Sequence, residues 1–432
     1  MNSKVYHKIT YFTASACFLV LTVYALIRFK VRFLLPDPKG DETSFLEAFQ
    51  FFKVNGFEAS VENGSSILFN SVVWFFSLFG ASDLMTLRIT SLVFGLATLF
   101  VALYLAKKFF NLSRIYFIIF AITGFNILVI SSVYLSGIND TLLFFLISVL
   151  FYRIYSIWNN GYALIKDSLW LGLILGAMLL TRMMSVIYFI PLALILWLLF
   201  RKQKLSFLTQ AKIGALTLLI LSVTVAVPNI PSLSKGKGLS FHIKKLDDRV
   251  GWPELQYLTA LENSKGNIAY GKHVSVEDVV AYIEKNGEAS LPKTLTESLF
   301  MDFGFTVKEF FKDLAIQLKP ISRNTGLLLL FIILALFIKR KQLFQLTQPK
   351  IILLFTFIFI AVLCFIVVNY VEPRWYIGLL ILMSISVFQM LQDALENTKQ
   401  KELLSFGLLN LHLLLLMAMS ASYILKNYQQ LA

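Results

Sequence analysis

The chain has 432 residues, of which 57% are hydrophobic and 15% are charged, and its formal net charge is +14. Its mean hydropathy of +0.73 excludes a disordered chain, a fibrous protein and a set of soluble domains, and it indicates a polytopic membrane protein. The charge does not indicate a nucleic-acid partner, because the segment 231–320 is neutral and the basic excess lies in short loops between apolar runs. Cys17 and Cys364 lie within apolar runs, so neither a disulfide framework nor a cysteine metal site is expected.

Apolar runs that could cross a bilayer recur along the whole chain. A span takes about 17–25 mostly apolar residues, and the two shortest runs could begin earlier than drawn. The runs are Ile9–Ile27, Leu84–Ala106, Ile115–Val133, Thr141–Ile157, Ser168–Met184, Val186–Phe200, Lys212–Ile230, Gly326–Ile338, Ile351–Val371, Trp375–Leu391 and Leu403–Leu425. The sequence therefore predicts an all-α polytopic membrane protein with about eleven transmembrane helices.

Basic residues mark one face of this arrangement as cytoplasmic. The loops that alternate to that face carry Lys4 and Lys8, Lys107, Lys108 and Arg114, Lys166, Arg201, Lys202 and Lys204, Lys339, Arg340 and Lys341, and Lys399 and Lys401. The first run is long for a signal peptide and lacks a typical cleavage site, so we interpret it as an uncleaved anchor. Arg28, Lys30 and Arg32 follow it on the outer side, which the orientation rule disfavours. Two long segments, 28–83 and 231–324, are predicted to lie outside.

The first outer segment holds a pair of adjacent carboxylates, Asp41 and Glu42. Phe45, Phe49 and Phe52 then recur on one helical face, which predicts an amphipathic helix on the membrane surface. A second interfacial helix is predicted over Ile67–Phe79. Asp41 has two compatible interpretations: an N-cap that accepts from an orphan amide, and a base that accepts a proton from a substrate hydroxyl.

Three arginines lie at or near the predicted outer ends of spans: Arg88, Arg182 and Arg374. Charge near the membrane is costly and suggests function, and a guanidinium has planar paired donors that suit a phosphate. The alternatives are extension to the interface or a nearby acid, such as Glu372 for Arg374. Asp140, in the turn before a span, is either an N-cap or a ligand for a sugar hydroxyl, a metal ion or an acceptor.

The order of these features resembles a known enzyme family. An anchor span, an outer Asp-Glu pair, two interfacial helices and the run Leu87-Arg88-Ile89-Thr90-Ser91 occur in that order, followed by Asn139-Asp140, Thr181-Arg182 and Pro373-Arg374-Trp375-Tyr376. This pattern resembles the GT-C superfamily of membrane glycosyltransferases, in the branch of the protein O-mannosyltransferases and the lipid A aminoarabinose transferase. The likeness covers roughly residues 9–200 well and 350–390 loosely.

The resemblance implies a polyprenyl-phosphate-sugar donor, transfer on the outer face and inversion at the anomeric carbon. Asp41 matches the family's general base, with Glu42 beside it, and Arg88, Asp140, Arg182, Arg374 and Tyr376 match stretches expected to bind the lipid phosphate or the sugar. The leaving phosphate would be held by Arg182 and Arg374. No cofactor is certain, although Asp41, Glu42 and Asp140 could hold a divalent metal ion.

Three modules follow from this interpretation. Residues 1–230 form a GT-C-like transmembrane module that includes the outer loop 28–83, residues 231–324 form a mainly helical outer domain, and residues 325–432 form the C-terminal transmembrane helices. Within the outer domain, helices are predicted over Val276–Asn286 and Val307–Leu318. A cap over the catalytic pocket is its expected role.

The expected activity is transfer of one sugar to a membrane lipid, a glycan or a protein. Other functions stay open: a transporter or flippase of lipid-linked sugars, and an outer-face glycan polymerase or ligase. The expected location is a bacterial inner membrane with the active site facing the periplasm, although an endoplasmic-reticulum enzyme would obey the same physics.

Overall fold

A computed structural model of the protein describes residues 3–241, 249–342, 345–366, 369–395 and 399–428. These residues form helices and short connecting turns, with no strand among them. The helices are α1 Ser3–Arg28, α2 Glu42–Glu62, α3 Ile67–Ser77, α4 Asp83–Phe109, α5 Arg114–Ile130, α6 Asp140–Asn160, α7 Leu164–Thr181, α8 Phe189–Lys202, α9 Phe207–Ala226, α10 Ile230–Ser234, α11 Trp252–Ser264, α12 Val276–Asn286, α13 Leu295–Phe300, α14 Phe303–Thr325, α15 Leu328–Ile338, α16 Gln348–Ile366, α17 Ile377–Leu395 and α18 Lys399–Tyr428. The all-α prediction is therefore confirmed for the described residues.

Nine helical segments in the described ranges are long and apolar enough to cross a membrane, as expected of a polytopic membrane protein. A tenth span results if α14 and α15, which are bent by 101° to each other, are counted as one. The segment Arg114–Ile130 is also apolar but has only 17 residues. Each of the eleven predicted runs contains a helix, but several extend beyond it, as the run Ile351–Val371 does at residues 369–371, which are not helical. Residues 367–368 of that run lie outside the described residues.

The chain divides into two compact units. The first comprises Met1–His242, Ser322–Thr356 and Ile377–Ala432, and the second comprises Ile243–Ile321 and Phe357–Tyr376. The predicted outer domain, 231–324, overlaps the second unit over residues 243–321. The second unit also takes in residues 357–376, which the sequence interpretation assigned to the end of one transmembrane run, the turn after it and the first two residues of the next run.

The core of the first unit surrounds α17, whose side chains are buried along almost the whole helix. It packs against α5 and α15, and Gly378 lets α6 approach closely: a Cβ atom there would lie 2.2 Å from the Phe144 ring. The most extensive helix–helix contact among the described residues is between α7 and α9, where Gly172 and Gly176 face α9. A Cβ on Gly176 would lie 2.6 Å from the Thr224 side chain, so the small residues permit this contact.

The second unit has a small core of its own between α11 and α12, in which Leu258, Val279 and Leu291 are buried. The helix α12 has the predicted bounds Val276–Asn286, and it begins with a capping box in which Ser275 and Asp278 bond each other's backbone amides. The predicted stretch Val307–Leu318 lies within the longer helix α14.

The interfacial helices form where the sequence predicts them, but one of them packs differently. In α2 the apolar residues Phe45, Phe49 and Phe52 are buried within the protein, and Phe45 contacts the edge of Phe69 in α3 at 5.8 Å between ring centroids. The apolar face of α2 is therefore covered by protein, in part by α3, and the placement of this helix on the membrane surface stays a prediction. In α3, by contrast, Trp74 and Phe75 are exposed.

Candidate active site

Three segments that are distant in sequence meet at Glu42, the first residue of α2. Arg88 of α4 donates from Nε to Glu42 Oε1 at 2.9 Å and from Nη2 to Oε2 at 2.8 Å. The backbone amide of Gly137, in the turn before α6, donates to the same Oε1 at 2.8 Å. Both side chains are at most 1% exposed. This is a bidentate, buried ion pair, the strongest geometry available to arginine and a carboxylate.

Arg88 has no donor left for a ligand. Besides the two bonds to Glu42, its Nη1 donates to the carbonyls of Phe33 at 2.9 Å and of Leu35, and its Nη2 donates to the carbonyl of Asp37 at 3.1 Å. A guanidinium has five N–H groups, and all five are engaged. Arg88 thus holds the segment between α1 and α2 in place, and this geometry assigns it to support rather than to the predicted contact with a lipid phosphate.

The hydrogen-bonding capacity of the Glu42 carboxylate is likewise taken up by groups of the protein. Burial alone would raise the pKa of its carboxyl, but the hydrogen bonds from Arg88 and from the Gly137 and Lys39 amides hold that pKa below its usual 4.5. The carboxylate stays ionised and accepts four hydrogen bonds from three residues, so it is poorly suited to accept a further proton. We therefore assign Glu42 an anchoring role in place of the predicted catalytic one.

Asp41 precedes this anchor and is half-buried. The chain enters α2 through Gly40, whose φ of +63° is a left-handed conformation that glycine adopts at little cost. Asp41 itself has helical angles, and its side chain makes no capping hydrogen bond. The N-cap interpretation of its side chain is therefore wrong. Its position is fixed from one side by the turn at Gly40 and from the other by Glu42.

A second ion pair joins the start of α6 to the end of α7. Arg182 donates from Nη1 to Asp140 Oδ1, and Asp140 is 1% exposed. The other carboxylate oxygen, Oδ2, is buried and has no hydrogen-bond partner among the described residues. A buried carboxylate oxygen normally has a partner, so this one indicates where a bound group would donate.

Polar groups surround this second pair. The Asn139 amide donates to the Thr181 carbonyl at 2.7 Å and to Ser66 Oγ at 3.2 Å, which connects the turn before α6 with the ends of α3 and α7. The Tyr134 hydroxyl lies within electrostatic range of Asp140 and is buried without a partner in the described structure; burial raises its pKa. We call Tyr134, Asn139, Asp140 and Arg182 the polar pocket.

Two arginines near this region were not predicted as site residues. Arg32, at the end of the first span, donates from Nη2 to Ser136 Oγ at 3.1 Å, and Arg28 donates to the Ile130 carbonyl at 3.5 Å. In the sequence they were only an exception to the orientation rule. That exception was the signal that could have identified them, because basic residues on the disfavoured side of a span need an anionic partner.

The remaining predicted residues, Arg374 and Tyr376, lie in the second unit. Arg374 forms an ion pair with Glu372, as the alternative interpretation expected. The buried Tyr376 donates its hydroxyl to Gln317 Oε1 at 2.6 Å. The structure thus brings Glu42, Arg88, Asp140 and Arg182 together with the Asp41 backbone in the first unit, while Arg374 and Tyr376 have local partners in the second.

The described residues contain no group of three or more histidine, cysteine or acidic side chains that could hold a metal ion. Glu42 and Asp140 are each paired with an arginine, which competes with metal binding for the same oxygens. The divalent metal ion stays a prediction.

Searches against protein-family models, curated proteins and solved structures find no match to this chain.

Proposed function

We propose that the protein is an inverting glycosyltransferase that moves one sugar from a polyprenyl-phosphate donor to an acceptor hydroxyl at the outer membrane face. The observation that carries the proposal is the Gly137–Glu42 hydrogen bond. It ties Glu42, the residue next to Asp41, to the turn before Asp140, so the segments that carry Asp41 and Asp140 are joined within the first unit.

In the proposed reaction the carboxylate of Asp41 takes the proton of the acceptor hydroxyl. The acceptor oxygen bonds to the anomeric carbon while the bond from that carbon to the phosphate oxygen breaks, which inverts the configuration. The lipid phosphate leaves as an anion, and Asp41 then releases its proton to water. A phosphate needs little protonation to leave, so one base and a cationic contact are sufficient.

The polar pocket supplies that contact. Arg182 is 16% exposed at its side chain, whereas Arg88 is 1% exposed, so Arg182 is accessible to a ligand. Its bond to Asp140 fixes the guanidinium before substrate arrives, and a preorganised donor stabilises charge that develops in the transition state. The free Oδ2 of Asp140 suits a sugar hydroxyl. Arg374 belongs to the second unit and is paired with Glu372, so its phosphate contact stays a sequence prediction that this reaction does not use.

The proposal is tested with the full chain in liposomes. Radiolabelled polyprenyl-phosphate sugars are supplied one at a time, and the label is followed into lipid, glycan and protein. We expect one donor to yield a product with a single added sugar. Movement of intact donor across the bilayer without a product would contradict the proposal and favour a transporter, and long products would favour a polymerase.

A further inference from the structure

Positive charge is concentrated where the first span ends. Arg32 lies within electrostatic range of Arg28 and Arg88, and of a single carboxylate, Glu42. A fourth basic side chain, Arg323, lies with Arg28 within range of the Tyr24 hydroxyl. This region belongs entirely to the first unit.

The one carboxylate does not neutralise this charge. Both oxygens of Glu42 are bonded to Arg88, and backbone amides take its remaining acceptor positions. In the described part of the chain, Arg28 and Arg32 form no ion pair, and each makes one hydrogen bond to a neutral group. The Nε atoms of both are buried without a partner in the same part of the chain.

Several guanidinium groups in partly buried surroundings repel one another, and each loses hydration. Such an arrangement is stable when an anion is bound. A guanidinium presents paired donors to a tetrahedral oxyanion, and the unpartnered Nε atoms are one donor of each such pair. The arginines stand at the end of the span Val5–Phe33, which is long and apolar enough to cross a membrane. A ligand with acyl or prenyl chains and an anionic head matches both features.

We propose that Arg28 and Arg32 bind the phosphate group of a membrane lipid. Two lipids carry this chemistry, an anionic phospholipid and a polyprenyl phosphate. Identification of the lipid as the sugar donor would rest on the proposed function, whereas the phosphate site itself does not. The site is additional to Arg182, which is already paired with Asp140.

The test is lipid binding to the detergent-solubilised full chain, measured by native mass spectrometry with polyprenyl phosphate and with phosphatidylglycerol in separate titrations. Neither sample contains a sugar or an acceptor, so the result is independent of transfer. The variant is Arg28→Gln/Arg32→Gln. Lys30→Gln is the matched control, because Lys30 lies between the two arginines and its side chain is exposed.

We expect the double variant to bind at least one of the two lipids about tenfold or more weakly, while the control binds like the wild type. A loss confined to polyprenyl phosphate identifies the lipid carrier of the proposed donor as the ligand, and a loss confined to phosphatidylglycerol identifies a resident phospholipid. Equal loss of both shows that the site recognises the phosphate alone. Unchanged binding of both lipids overturns the proposal.

Folding is controlled in the same samples by thermal unfolding. Arg28→Lys/Arg32→Lys keeps the charge but removes the planar fork, and we expect its affinity to lie between those of the wild type and the glutamine variant. If the glutamine variant unfolds, the lysine variant replaces it in the test. Wild-type affinity of the lysine variant for both lipids would then overturn the proposal.

Discussion

Two buried arginine–carboxylate pairs in the first unit look alike in sequence and differ in what surrounds them. In the Arg88–Glu42 pair every guanidinium N–H has a protein acceptor, and neither side chain is more than 1% exposed. In the Arg182–Asp140 pair one buried carboxylate oxygen has no partner among the described residues, and the arginine is partly exposed. The first pair supports the fold, and we propose that the second receives a ligand. Both the number of satisfied donors and acceptors and the exposure of the arginine separate the two pairs.

The largest expected effect comes from breaking the satisfied pair. Arg88→Met leaves Glu42 ionised and buried without its main partner, which costs about 3–5 kcal/mol of unfolding free energy. Thermal unfolding in detergent measures it. The matched control is Lys53→Met, which removes the exposed Lys53–Asp83 pair of 2.7 Å and should cost less than about 1 kcal/mol. Equal losses for the two variants would contradict the distinction between the pairs.

The same substitution, arginine to lysine, should have different effects in the two pairs. Arg182→Lys keeps the charge but loses the planar fork, so sugar transfer per folded protein should fall about tenfold or more while thermal stability changes little. Arg88→Lys should instead lower the unfolding temperature, and the protein that remains folded should retain transfer. If Arg88→Lys instead stayed folded but lost transfer, while Arg182→Lys kept transfer, the first pair and not the second would have the catalytic role.

The turn that joins the two pairs is sensitive to volume. A Cβ atom on Gly137 would lie 2.5 Å from Leu87 Cβ, so Gly137→Ala must displace the turn and weaken its bond to Glu42, at a cost of about 1–3 kcal/mol. Gly407→Ala, where no atom lies within 4 Å of the added Cβ, is the control and should be neutral or slightly stabilising. Chemical denaturation of both variants checks this, and a neutral Gly137→Ala would show that the turn is not closely packed.

The smallest effect is a pH dependence. The folded pKa of Glu42 lies below its usual 4.5, so its ionised form stabilises the protein above that pH, and the stabilisation is lost as the pH falls through the folded value. Glu42→Gln lacks this contribution. The difference in unfolding temperature between wild type and Glu42→Gln should therefore be constant near pH 7 and narrow on acidification below about pH 4.5. A difference that widens in acid would contradict the depressed pKa.

Much of the helical architecture could be predicted from the sequence, because a long apolar run in a bilayer has few alternatives to a helix. Every predicted run contains a helix among the described residues, although several runs extend past a helix end into a turn, and α12 has the predicted bounds. The packing of the α2 face could not be predicted. Phe45, Phe49 and Phe52 give the same periodicity whether lipid or another helix covers them.

The individual roles of the arginines could not be predicted from the sequence either. Arg88, Arg182 and Arg374 are all predicted at or near the outer end of a span, but their partners lie 46, 42 and two residues away. Only the tertiary fold decides which guanidinium is saturated. The sequence did contain one usable signal, the disfavoured position of Arg28 and Arg32, which marks an excess of charge that the fold leaves without an acidic partner in the described residues.

The proposal that Asp41 is the general base, while Glu42 is only an anchor, is tested most directly by substituting each of the two residues. Transfer rate and unfolding temperature are measured for Asp41→Asn and Glu42→Gln in parallel. We expect Asp41→Asn to keep the wild-type unfolding temperature and to lose about 10²–10⁴-fold in transfer rate, as a general base should. Glu42→Gln should instead unfold at a lower temperature. A wild-type rate for Asp41→Asn would contradict the proposal.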